Sequence, residues 1–176
     1  MPKEASWHKM VKDTLKDVGK ERGYDVSESE KEMVLASKFR MFRHQIRGKG
    51  REITYGDPEE RKTHTFSYKP DVVWKKRRFY RAVFEIEYLN PRSIVMEKRK
   101  YAIGSWMLGY LAMVKKSVKF LVFVTNNKDL YLEIMTFKKL IPLEYKDSTH
   151  TLYLKAHDQF NITRGLREFI VGKLKI

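Results

Sequence analysis

Glu85 and Glu87 stand two residues apart in the apolar run Ala82-Val83-Phe84-Glu85-Ile86-Glu87-Tyr88. In an extended chain, residues i and i+2 leave from the same face. Both carboxylates therefore point one way from a segment otherwise suited to a core. Two like charges held side by side in an apolar setting repel and are poorly solvated. A divalent cation between them removes that cost, and hard oxygen donors suit Mg²⁺ or Mn²⁺. A solvent-facing sheet surface, whose acids pair with nearby Lys or Arg, gives the same pattern. Asp71, in Pro70-Asp71-Val72-Val73-Trp74, is a third acid with apolar neighbours. Were 65–74 and 79–89 to form a hairpin across the charged turn Lys75-Lys76-Arg77-Arg78, antiparallel pairing would bring Asp71 beside the two glutamates.

The elements that must hold these residues follow from periodicity. Trp7, Met10, Val11, Thr14, Leu15 and Val18 recur at helical spacing and predict a helix from Ser6, its N-cap, to Arg22, closed by Gly23. Residues 24–30 alternate as a short strand. Met33, Val34, Leu35, Phe39, Phe42 and Ile46 suit a helix, followed by the basic loop Arg47-Gly48-Lys49-Gly50-Arg51. After the hairpin, Asn90-Pro91-Arg92-Ser93 ends the strand, and Ser93 can cap a long helix reaching Lys116. Val118 to Thr125 is a continuous apolar run, the signature of a strand buried on both faces. A helix over 128–140 with Leu130, Ile134 and Phe137 on one stripe, a strand over 149–155 and a helix over 162–174 that starts near Asn161 or Thr163 complete the chain. The order predicts an α/β fold in which helices flank a central mixed sheet.

Pro70-Asp71, then Glu85-Ile86-Glu87 on the next strand, then a long helix, resembles the PD-(D/E)xK, or restriction-endonuclease-like, nuclease superfamily. The family core of helix, three strands, helix and strand matches the chain to about Asn126, leaving a C-terminal helix, strand and helix beyond it. The resemblance implies one nuclease-like domain over 1–176, with a basic insertion at about 31–56. It further implies metal-assisted hydrolysis of a phosphodiester in DNA, with Asp71 and Glu85 holding Mg²⁺ or Mn²⁺. Glu28 and Glu30 end the first strand, and the resemblance makes either, Glu28 first, a further candidate ligand. Family members usually carry lysine where this chain has Glu87. Some restriction enzymes carry glutamate there, a Glu-x-Glu variant, which implies Glu87 as base or further ligand; in other members the lysine comes from the following helix, where Lys98 is the candidate here. His8 and Asp17, on the first helix, are weaker candidates. Inactive relatives also exist, so the alternative is a basic nucleic-acid-binding protein of the same fold without cleavage.

Bulk composition points the same way. The chain has 176 residues and a formal net charge of +15, with a pI near 9.8. Such a balance suits a polyanion, DNA first and RNA as a second choice; a third reading is an acidic protein partner. Arg40, Arg43, Arg47, Lys49 and Arg51, interleaved with aromatics, and Lys75, Lys76, Arg77 and Arg78 at the hairpin tip are the expected phosphate contacts. With no cysteine, disulfides, thiol nucleophiles and thiolate zinc sites are excluded. No apolar run approaches a membrane span and no apolar signal region follows Met1, so a soluble, cytoplasmic protein is expected. A homodimer would suit an enzyme cutting both strands; Trp106, Met107 and Leu108 fit either core or such an interface.

Overall fold

A computed structural model describes residues 4–27, 33–38, 63–89 and 96–176; for 4–5, 33–38, 63–68, 96–101, 105, 108, 112 and 115 it describes the backbone alone. Helix α1 spans Glu4–Glu21. It starts earlier than expected, so Ser6 lies inside the helix and is not its cap. Its end is as anticipated: Gly23 takes φ 72°, its N–H donates to Lys20 O at 2.9 Å, and Tyr24 N donates to Gly19 O at 3.0 Å. These are the two bonds of a glycine-closed helix terminus.

Strands β1 (Asp25–Ser27), β4 (Val72–Lys76), β5 (Phe79–Glu87), β6 (Phe120–Thr125) and β7 (Thr149–Tyr153) form one sheet in the order β1-β4-β5-β6-β7. The β1–β4 and β4–β5 pairs are antiparallel, whereas β5–β6 and β6–β7 are parallel. A separate antiparallel ribbon joins β2 (Met33–Lys38) to β3 (Thr63–Tyr68). This corrects two expectations. Met33–Lys38 is a strand and not the start of a helix, because a short apolar run suits either state until a partner is known. Residues 65–74 are not one strand: the chain leaves the ribbon at Lys69-Pro70, where proline has no N–H for a ladder, and enters the main sheet at Val72. The hairpin turn contracts to Arg77-Arg78, with Lys75 and Lys76 still in β4.

Helices cover both faces of the sheet. On one lie α1 and α5 (Gln159–Phe169), which continues as a π-helical turn over Ile170–Leu174. Trp7, Val11, Leu15, Val18, Ile162 and Leu166 there meet Val72, Trp74, Phe84, Ile86 and Val122. On the other lie α2 (Met96–Lys116) and α3 (Lys128–Lys138), whose Ala102, Ile103, Trp106, Tyr110, Leu130 and Ile134 meet Val73, Val83, Leu121 and Phe123. Strand β6, buried at every position as its sequence implied, feeds both layers. Trp106 is core, and no described residue argues for it as an interface. The short helix α4 (Leu143–Lys146) was not anticipated, and α5 is capped by Asp158, whose Oδ1 accepts from Asn161 N at 2.9 Å, not by Asn161 or Thr163. The result is an α/β protein with a five-stranded mixed open sheet flanked by helices. Among the described residues no helix is long and apolar enough to cross a membrane.

Candidate functional site at the carboxyl ends of the parallel strands

Because β5, β6 and β7 run parallel, their carboxyl ends lie along one edge of the sheet, where open α/β sheets tend to bind ligands. Strand β4 is antiparallel to β5, so its amino end, marked by Asp71, reaches the same edge. Asp71 N donates to Phe84 O at 3.1 Å, and Asp71 Oδ2 accepts from Ile86 N at 2.9 Å. The carboxylate thus replaces a peptide carbonyl and carries the β4–β5 ladder one step past Val72. This holds Asp71 beside the segment Phe84-Glu85-Ile86, as the sequence suggested.

Residues of β5 alternate between the two cores. Phe84 and Ile86 face α1, while Val83 and Leu89 face α2. By the same alternation Glu85 and Glu87 both turn to the α2 face. Glu85 is only 5% exposed; Glu87, nearer the end of the strand, is half-buried. Across the parallel ladder they adjoin Phe123 and Thr125. Asp71 is reached from the opposite layer: His8 Nε2, on the first turns of α1, lies 3.2 Å from Asp71 Oδ1, with the side chains 33% and 24% exposed. The aspartate therefore stands at the rim between layers, with one oxygen towards a strand amide and the other towards an imidazole.

Asn126 completes the edge. It is buried, donates from Nδ2 to Leu89 O at 3.0 Å and accepts at Oδ1 from Leu89 N at 2.8 Å. A single side chain thereby acts as the next rung between β6 and the exit from β5, fixing the chain just past Glu87. Asn127 caps α3 by accepting from Leu130 N at 2.9 Å. On the α1 side, Trp7 Nε1 donates to Ala156 O at 2.9 Å, tying the helix that carries His8 to the chain leaving β7.

The sequence alone gives His8 little weight and does not mark out Asn126. His8 immediately follows buried Trp7, so it sits on the margin of the helix stripe; Asn126 directly follows the buried apolar run. Each is polar at the border of a core element, the only signal the sequence offered. Lys98 belongs to α2, but its side chain is outside the described residues. Glu28 and Arg40, Arg43, Arg47, Lys49 and Arg51 also lie outside them. The hairpin basic residues are described, and they sit at the far end of the β4–β5 ladder from Asp71. Among the described residues, no three His, Asp or Glu side chains form a group of the kind that encloses a metal ion. Asp71, just before β4, and Glu85, on β5, lie on neighbouring segments of the chain. No protein-family model, curated protein or solved structure matches this chain.

Proposed function

We propose that the carboxyl edge of the sheet is the centre of a metal-dependent DNA endonuclease of restriction-endonuclease-like type. The observation that supports this most is Glu85: a carboxylate 5% exposed on a central strand, next to the position where Asp71 joins the ladder. A carboxylate buried on a central strand, sharing a face with Glu87, is the kind of group that serves charge chemistry. Asp71 and Glu85 would hold the ion, with Glu87 as a further ligand or as the base that orients the attacking water, and Lys98 as a source of positive charge from α2. A hard dication bound there would polarise the scissile phosphate and make water a better nucleophile near neutral pH. The chain's own part is positional. Ile86 N–H and His8 fix the direction of Asp71, Asn126 fixes the strand exit after Glu87, and apolar packing around Glu85 keeps bulk water away.

One observation favours a second reading, a basic nucleic-acid-binding protein of the same layout without cleavage. Both oxygens of Asp71 already face protein groups, a strand amide and His8. Incubation with plasmid, linear and single-stranded DNA, in Mg²⁺, Mn²⁺ or EDTA, separates the two readings. Cleavage that requires metal and disappears in Asp71→Ala is expected. Salt-sensitive binding without cleavage under any condition favours the second reading.

A further inference from the structure

The amino-terminal edge of the sheet, opposite the carboxylates, has its own chemistry. Lys75, Lys76, Arg77 and Arg78 form the end of the β4–β5 hairpin, and Lys119 N donates to Tyr80 O at 3.2 Å. This bond draws the α2–β6 connection, with exposed Lys116 and Lys119, against the hairpin. Lys76, Arg77, Arg78, Lys116 and Lys119 form no ion pair among the described residues. Asp25 is the nearest acid on the neighbouring strand, opposite Lys75. So much unneutralised positive charge at one edge creates a local potential that attracts a polyanion.

Aromatic rings are interleaved with these cations. Phe79 is 58% exposed, with the Arg78 guanidinium 5.3 Å from its ring centre. Lys75 Nζ lies 4.7 Å from the Tyr80 ring, and Lys119 Nζ lies 5.2 Å from the Phe120 ring. A basic track with a solvent-facing ring is what binds an unpaired strand: cations follow the phosphates and a base stacks on the ring. The turn itself is also unusual. Arg77 takes φ 58°, a left-handed conformation that glycine or asparagine adopts at lower cost. Arginine therefore stands where a better turn former exists.

We infer that this edge is a second nucleic-acid surface, one that holds a single-stranded segment away from the carboxylate centre. Six residue steps of β5 separate Phe79 from Glu85, about 20 Å at the rise of a strand. A strand held at the hairpin is thus not the phosphate next to Asp71, so the edge recruits and orients an unpaired arm or tail. The inference rests on the nucleic-acid part of the proposed function and is independent of catalysis.

The test is fluorescence anisotropy of the full-length Asp71→Ala protein in EDTA, with a labelled single-stranded oligonucleotide and with a blunt duplex of equal length, across a salt series. Introducing Arg77→Glu with Arg78→Glu should weaken single-strand binding at least tenfold and flatten the salt dependence by one to two units in log–log slope, as about 0.7 per phosphate contact predicts. Phe79→Ala should weaken it about fivefold or more, with little effect on the duplex. Arg77→Gly, which relaxes the turn, should also weaken binding while leaving the protein folded. Single-strand affinity unchanged in all three overturns the inference. So does competition by polyglutamate as effective as that by unlabelled single strand, which would point to an acidic protein partner. Because the assay contains neither metal nor Asp71, absence of cleavage in the parent protein leaves this test unaffected.

Discussion

The two edges of one sheet contrast sharply. At the carboxyl ends, polar side chains are buried or half-buried and tied to backbone: Asp71 to Ile86 N, Asn126 to Leu89, Asn127 to Leu130 N. At the amino ends, Lys76, Arg77, Arg78 and Phe79 are exposed and tied to little besides one another. Fixed groups suit chemistry, which needs atoms held within fractions of an ångström, whereas long, solvated cations suit capture of a flexible polymer. The length of β5 produces both, because one strand starts at the basic tip and ends at the acids.

The largest effect expected is a dissociation between the edges. Glu85→Gln keeps the side-chain shape and removes a proposed metal-binding carboxylate, so metal-dependent cleavage should fall by about a hundredfold or more. Single-strand affinity in EDTA should stay within about twofold. If Glu85→Gln instead lowers affinity and cleavage in parallel, the two edges do not work separately. Gly19→Ala is the control that should harm both together. A Cβ at position 19 would stand 2.5 Å from Trp74 Nε1 and 2.7 Å from Val26 Cγ2. That overlap should cost about 1–3 kcal/mol, read as a lower midpoint in urea denaturation.

A smaller effect sharpens the picture of the basic edge. Arg77→Gly should raise stability by about 1 kcal/mol, or about 2–4 °C in melting temperature, by removing a left-handed arginine. A stabilised variant that binds single strands less well would mean that the native turn exchanges stability for charge. An unchanged melting temperature would mean that the turn is not strained. The smallest effect concerns His150, at the start of β7 between the rings of Phe120 and Phe169. Burial, reinforced by Lys138, lowers its pKa below the ordinary histidine value. The unfolded chain then binds the proton more readily than the folded one, so this stability is present above the unfolded value near 6.5 and is lost as pH falls below it. Melting temperatures between pH 7.5 and 5 should decline less in His150→Gln than in the parent.

Legibility in the sequence followed the strength of burial. Helix α1, strand β6 and the stripe of α3 were readable because each buries a long apolar face, and the spacing alone reveals it. The placement of Asp71 against the backbone of Phe84 and Ile86 was readable because a nearby turn leaves few pairings. His8 was not, since its approach to Asp71 depends on how α1 lies across the sheet, a tertiary property without local signature. Met33–Lys38 deceived because a run of four apolar residues does not distinguish a helix from a strand. The distance of the basic tip from Asp71 follows from the strand itself, since an extended β5 carries its two ends far apart.

The sheet also partitions the three tryptophans of the chain. Trp7 and Trp74 lie in the layer beneath α1 and α5, and Trp106 lies in the layer beneath α2. Trp74 is stacked on Tyr24 at 5.4 Å and lies 4.7 Å from Phe84, while Trp106 has Tyr110 at 6.2 Å. Variants retaining tryptophan in only one layer would carry an intrinsic optical reporter for that layer. Comparing their emission during denaturation would reveal whether the two halves of the interior melt as one unit or in sequence.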